Sequence, residues 1–64
     1  MTKREKMVWQ LNRIIQESEL IKDILVANNK DSNKIVIKEK ERLDEDYKFF
    51  NEVYNEWVDQ INRE

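Results

Sequence analysis

The sequence of 64 residues contains no cysteine, histidine, glycine or proline. Without cysteine there are no disulfides, no thiolate nucleophile and no cysteine-based zinc site, and an oxidising compartment is not required. Without histidine the chain lacks the most common general base, and without glycine it lacks a phosphate-binding glycine loop. We therefore expect a protein that is not an enzyme, with no catalytic residues, no cofactor and no metal ion.

The missing glycine and proline are also the residues that most often break helices. Charged residues make up 41% of the chain and hydrophobic residues 39%, a mixture typical of helical bundles and coiled coils. No apolar run approaches the ~20 residues that span a bilayer, and the amino terminus alternates charged and apolar residues, unlike a signal peptide. These features predict a helical, cytoplasmic protein without a membrane segment.

Apolar residues recur at alternating spacings of four and three, which is the heptad repeat of a helix that buries one seam. Thr2 and Glu5 also have the spacing of a capping box. We predict helix 1 at about residues 3–28 and helix 2 at about residues 32–62. The predicted seam of helix 1 consists of Met7, Leu11, Ile14, Ser18, Ile21 and Leu25, and that of helix 2 of Leu43, Tyr47, Phe50, Tyr54, Trp57 and Ile61.

Residues 28–33 form the predicted break between the helices. Asparagine tolerates the left-handed conformation that ends helices, and Asp31, Ser32 or Asn33 can cap the next helix. Because the loop at about residues 28–32 is short, the helices should be antiparallel neighbours. The predicted fold class is all-α, a single domain formed by an antiparallel two-helix hairpin.

A short strand is the alternative at the three consecutive β-branched residues Ile35, Val36 and Ile37. We favour helix there, because no other stretch alternates as a partner strand would and Val36 lies in phase with Leu43.

A chain of this length rarely supplies enough core to be stable alone. The predicted apolar stripes are also wider than one partner helix covers. We therefore expect a homodimer that forms a four-helix bundle, with completion of the bundle by a different protein as the alternative.

Five apolar residues lie out of phase with the predicted seams or beside them. We predict that they bind a partner, either a larger protein or the second copy: Trp9, Leu20, Ile24, Phe49 and Val53. Exposed aromatic residues grouped at one end of a molecule commonly mark an interface. On this hypothesis alanine at Trp9 or Phe49 abolishes association, whereas alanine at Phe50 or Leu11 unfolds the chain.

The charged residues support two other hypotheses less well. Lys34, Lys38 and Arg42 line one ridge of helix 2 and could follow a phosphate backbone, but Glu41 and Glu45 are spaced to pair with them. Carboxylates at helical spacing could hold a divalent cation, although we interpret them as a solvated face. They are Glu41, Glu45, Glu52, Glu56 and Asp59.

The leading functional prediction is a small interaction protein, a regulator or adaptor that docks on a larger protein. A nucleic-acid-binding hairpin and a structural or scaffolding subunit are the alternatives. The chain has seven asparagines and many lysine, isoleucine and glutamate residues. This bias is typical of AT-rich genes, including those of phages and other mobile elements.

Overall fold

A computed structural model of the chain contains two long helices, α1 at Lys3–Ala27 and α2 at Asn33–Arg63, joined through a 3₁₀ turn at Lys30–Ser32. The structure describes residues 1–28 and 30–64, and no strand occurs among them. Asn29, part of the predicted break, lies outside the described residues. The helices pack against each other, with the start of α1 beside the end of α2. The predicted all-α hairpin is therefore confirmed.

The three β-branched residues Ile35, Val36 and Ile37 belong to α2, so the helical interpretation of this segment was right. The hairpin is a rod that measures 51 × 16 × 14 Å. Within the described residues, neither helix contains a segment that is long and apolar enough to cross a membrane.

Both ends of α1 carry the signals that the sequence predicts. The Thr2 hydroxyl oxygen accepts a hydrogen bond from the Glu5 amide at 3.1 Å and donates one to the Glu5 carboxylate at 3.2 Å. Asn28 adopts the left-handed conformation with φ 52°, and its amide donates to the Leu25 carbonyl at 3.2 Å. Ser32 precedes α2 as the N-cap residue, without a side-chain hydrogen bond to that helix.

The seam between the helices follows a heptad repeat, but in a different phase from the predicted one. Every seam residue is buried or half-buried, and Ile14 and Gln10 are the most deeply buried, at 5% and 8% exposure. On α1 the seam consists of Lys3, Met7, Gln10, Ile14, Glu17, Ile21 and Ile24. On α2 it consists of Val36, Glu39, Leu43, Asp46, Phe50, Val53 and Trp57.

Half of the predicted seam is therefore wrong. The structure places six of its twelve residues on the surface: Ser18 and five apolar residues that are 41–59% exposed, Leu11, Leu25, Tyr47, Tyr54 and Ile61. After Met7 the observed seam continues three positions on, at Gln10, whereas the predicted seam continues four positions on, at Leu11. The same difference recurs in every heptad of both helices, so each seam lies about 50° around its helix from the predicted one. This rotation leaves the tyrosine hydroxyls in water, where they need no protein partner.

The rotation creates two distinct flanks beside the seam. In an antiparallel pair, the surface positions that follow seam residues by one or by four lie toward the same flank, as Arg4 and Ile61 do, which line one pocket. We call this flank the tyrosine face. Its exposed apolar residues are Val8, Leu11, Ile15, Leu25, Ile37, Tyr47, Tyr54 and Ile61. The opposite flank carries Trp9 and Phe49.

Candidate functional site

A pocket opens beside the seam near the free ends of the hairpin. Its volume is about 280 Å³, and its walls are mostly apolar. It is lined by Met1, Lys6, Trp9, Gln10, Phe49 and Val53, and we call it the Trp9 pocket. α1 contributes Trp9 and Gln10, while α2 contributes Phe49 and Val53. The helix pairing therefore brings together three of the five predicted partner-binding residues.

The two aromatic rings of the pocket remain accessible, since Trp9 is 50% and Phe49 is 59% exposed. The Arg13 guanidinium carbon lies 5.0 Å from the centre of the Trp9 ring. A cation at this distance attracts the electron-rich ring face and restricts its motion. The pocket thus offers a positioned indole beside an open phenyl ring, which suits an incoming apolar group.

Gln10 contributes the polar group of this pocket. The sequence analysis did not predict it, because a glutamine on a helix surface is usually exposed. Gln10 is buried next to Ile14, and its Oε1 atom has no hydrogen-bond donor in the protein. A buried amide oxygen without a donor is costly, and because this atom is closed to solvent, a ligand can donate to it only after the side-chain amide turns toward the pocket. One sequence signal was available, since Gln10 stands three residues after Met7 and four before Ile14.

A charged layer separates the pocket from the loop end of the hairpin. Arg13 Nε lies 3.4 Å from an Asp46 carboxylate oxygen, and Arg13 Nη2 lies 3.8 Å from Glu17 Oε1. The side chains of Glu17 and Asp46 are only 12% and 13% exposed. Because Arg13 also stacks on Trp9, the charged layer and the aromatic pocket share one side chain.

Burial raises the pKa of Glu17 from 4.5 to about 7, and a hydrogen bond with Asp46 and repulsion from its charge add to this rise. Arg13 acts in the opposite direction. Glu17 Oε2 is a buried acceptor without a donor, and Asp46 Oδ2 has the ion-pair contact with Arg13 Nε but no hydrogen bond, so a proton held by Glu17 supplies a missing hydrogen atom. Glu17 therefore changes its charge near neutral pH.

The other two predicted partner-binding residues lie elsewhere. Leu20 is exposed, but it stands eleven positions after Trp9 on α1, about 16 Å along the helix. The charged layer lies between them. Ile24 is half-buried in the seam, so its predicted position to one side of the helix was wrong. Neither residue lines the Trp9 pocket.

The tyrosine face is the larger apolar surface, and five of its eight residues were predicted to lie in the seam instead. Phe50, Tyr54 and Trp57 form a ladder along α2, with successive ring centres 6.2 Å apart. Tyr54, the middle ring of the three, is the exposed one, at 44% exposure. An aromatic side chain held by its neighbours presents contact area at a small entropy cost.

The basic ridge is exposed, as predicted, but its ion pairs differ from the predicted ones. Arg42 lies 3.4 Å from Glu39, and Lys40 lies 2.7 Å from Asp44. Lys34 and Lys38 are exposed on the same helix. Part of the positive charge near the ridge is thus neutralised within α2.

No group of three or more acidic side chains among the described residues is placed to hold a metal ion. A larger depression of about 550 Å³ at the free ends is lined by polar and charged residues.

No protein-family model matches the chain, and neither curated proteins nor solved structures give a significant match. Function is therefore inferred from the geometry of the surfaces described above.

Proposed function

We propose that this protein is a non-enzymatic interaction module, a regulator or adaptor with two apolar surfaces. The tyrosine face binds a second copy of the chain to complete a four-helix bundle, and the Trp9 pocket docks on a larger protein. One observation carries the proposal: the hairpin leaves large apolar side chains exposed on both flanks while its own seam contains polar residues such as Gln10, Glu17 and Asp46.

The size of the tyrosine face supports a second copy as its occupant. Its eight apolar residues are 41–63% exposed. At roughly 100 Å² for each half-exposed side chain, they offer on the order of 800 Å², about what each partner buries in a stable interface. A two-fold axis through this face would bring two such surfaces together and give the bundle its second layer of helices.

Sedimentation equilibrium at micromolar concentration tests the dimer. We expect the intact chain to sediment at twice its mass of 7.9 kDa. Replacing both Tyr47 and Tyr54 with serine should yield monomers, because each copy of the chain then loses two aromatic rings from the interface. The control replaces the exposed Lys34 and Lys38 with serine, which leaves the tyrosine face unchanged. A cooperatively folded monomer of the intact chain would contradict this part of the proposal.

Docking on a larger protein is tested by affinity capture from the source cells, followed by direct binding of the captured protein in purified form. Trp9→Ala should weaken this direct binding at least tenfold, since aromatic anchors dominate interface energies. Gln16→Ala, on the exposed surface of α1, should leave it unchanged. If Trp9→Ala binds as well as the intact chain, docking does not involve the Trp9 pocket.

Nucleic-acid binding and a purely structural role are the other outcomes of these experiments. Binding through Lys34, Lys38 and Arg42 would weaken by orders of magnitude between 50 and 200 mM salt, as roughly expected for phosphate contacts. An apolar interface would change little. A scaffolding subunit would form assemblies larger than the dimer, and no other protein would bind it through Trp9.

A further inference from the structure

We infer that the Trp9 pocket recognises a tryptophan side chain of the partner protein, whose indole N–H donates to Gln10 Oε1. This inference rests on the proposed docking function and specifies what the docking surface binds. It depends on the shape of the pocket, on its polar group and on the charges around it.

The size of the pocket suits one aromatic side chain. Pockets for drug-sized ligands usually measure roughly 300–1,000 Å³, and this one holds about 280 Å³. Trp9 and Phe49 form two of its walls, and aromatic rings favour offset-stacked or edge-to-face contacts with a third ring. A flat ring that enters between them would also cover Val53, which is half-buried beneath the opening.

The polar chemistry selects an indole among the aromatic side chains. Gln10 Oε1 requires a donor, and rotation about χ3 of glutamine is soft enough to turn this oxygen toward a bound ring. Phenylalanine has no donor. Tyrosine donates, but it also brings an acceptor oxygen into an apolar pocket. The indole has one N–H and no acceptor, so a single bond satisfies the indole N–H and the Gln10 Oε1 atom.

The charges beside the pocket favour an acidic residue next to the tryptophan of the partner. Lys6 lines the pocket, and the Arg13 guanidinium lies over the Trp9 ring while it also pairs with Asp46 and Glu17, so Lys6 is the cation left for a partner's acidic group. Both cations belong to α1. On the α2 side, Glu45 and Glu52 flank Phe49 together with Lys48, so an acidic group is better accommodated over α1 than over α2.

The pocket can be tested without the partner by titrating the ¹⁵N-labelled full chain with indole and with benzofuran. These probes have nearly the same shape, but benzofuran has an oxygen in place of the N–H group. Chemical shifts of the Gln10 side-chain amide and the Trp9 indole report binding. We expect indole to bind about fivefold more tightly than benzofuran, which is the effect of one net hydrogen bond.

Two variants separate the hydrogen bond from the shape of the pocket. Gln10→Leu replaces the amide with an apolar side chain of similar size, and this variant should bind benzofuran at least as tightly as indole. Gln16→Leu makes the same change on the exposed surface and should keep the preference for indole. If Gln10→Leu disturbs the helical circular dichroism, Gln10→Met provides the same comparison.

Equal affinity of the intact chain for the two probes would overturn the inference, as would an absence of shifts at Gln10 and Trp9 at millimolar indole. These results are distinguishable from failure of the proposed function. If partner binding depends on Trp9 but the chain shows no preference for indole, the proposed docking stands and only the inference that the partner supplies a tryptophan is refuted. Indole preference without any loss of partner binding in Trp9→Ala would place docking elsewhere and refute the inference for the partner.

Discussion

The stability of the hairpin should fall as the pH rises from 5 to 8.5, and Glu17 should cause most of the fall. The pKa of Glu17 is about 7 in the folded chain, against 4.5 as its ordinary value. Between these two values the folded state binds more protons than the unfolded state, so the free energy of unfolding decreases with increasing pH. The stabilisation is fully present below pH 4.5 and is lost as the pH rises through 7.

The size of the effect follows from the shift. One pKa unit corresponds to about 1.4 kcal/mol, so the change from 4.5 to about 7 sets an upper limit of about 3.5 kcal/mol. The Glu17 side chain is only 12% exposed, so water screens it weakly. For a domain of this size 1 kcal/mol changes the melting temperature by about 4–8 °C. Half of this upper limit corresponds to a drop in melting temperature of about 7–14 °C, which is the result we expect.

Thermal unfolding followed by circular dichroism, at fixed protein and salt concentration, measures this drop. Glu17→Gln cannot ionise, and its amide can still donate to Asp46, so this variant should lose most of the pH dependence and match the intact chain at pH 5. Glu19→Gln removes a carboxylate from the exposed surface and should keep the full dependence. Stability that stays constant or rises between pH 5 and 8.5 would refute the reasoning, and so would an unchanged slope in Glu17→Gln.

Three further substitutions test the hairpin by urea denaturation. Ile14→Ala should lower the free energy of unfolding by about 2–5 kcal/mol, since Ile14 is the most buried apolar residue described, whereas Val26→Ala, at an exposed position, should change it by no more than about 0.5 kcal/mol. Equal effects would contradict the observed seam. Thr2→Ala should cost about 1 kcal/mol through loss of the N-cap, and a smaller loss would mean that the end of α1 frays. Asn28→Val should cost about 1–2 kcal/mol because a β-branched residue resists the left-handed conformation, while Asn28→Gly should be neutral or stabilising; equal effects would contradict the C-cap.

The elements of the fold were predictable from the sequence because their signals are local. The capping box at Thr2, the asparagine at position 28 and two long heptad repeats each act within a few residues. These signals identified both helices and the break between them. They also resolved the ambiguous segment around Val36, where the heptad repeat outweighed β propensity.

The phase of the seam was not predictable in the same way, because both helices carry apolar residues on two adjacent stripes. After Met7 the sequence offers Gln10 or Leu11 as the next inward position, and hydrophobicity favours Leu11. The structure selects Gln10, which allows Arg13 to reach Asp46 on the facing helix. Such a contact between helices depends on three-dimensional pairing, and helical periodicity contains no information about it.

The candidate site was partly predictable, because helical phase indicates which residues are exposed but not which of them become buried by the facing helix. The out-of-phase positions of Trp9 and Phe49 indicated an exposed aromatic pair, and the antiparallel pairing placed both at one end of the hairpin. Gln10 was missed, because its role arises from burial next to that pair. Leu20 was included on the basis of phase alone, although its distance along α1 separates it from the pocket.

The rotated seam and the two apolar flanks are one property of the sequence. Rotation to the predicted phase would bury Leu11 and Tyr54 between the helices, but it would expose Val53 and separate Arg13 from Asp46. Two helices alone cannot bury both stripes at once, since each helix then needs neighbours on two sides. In the proposed four-helix bundle each helix would have such neighbours, and the stripe that the hairpin leaves exposed would be the interface between copies. We therefore expect the tyrosine face to stabilise the dimer and the seam to stabilise the hairpin. Tyr54→Ser should weaken the association of two copies, whereas Ile14→Ala should destabilise the hairpin itself.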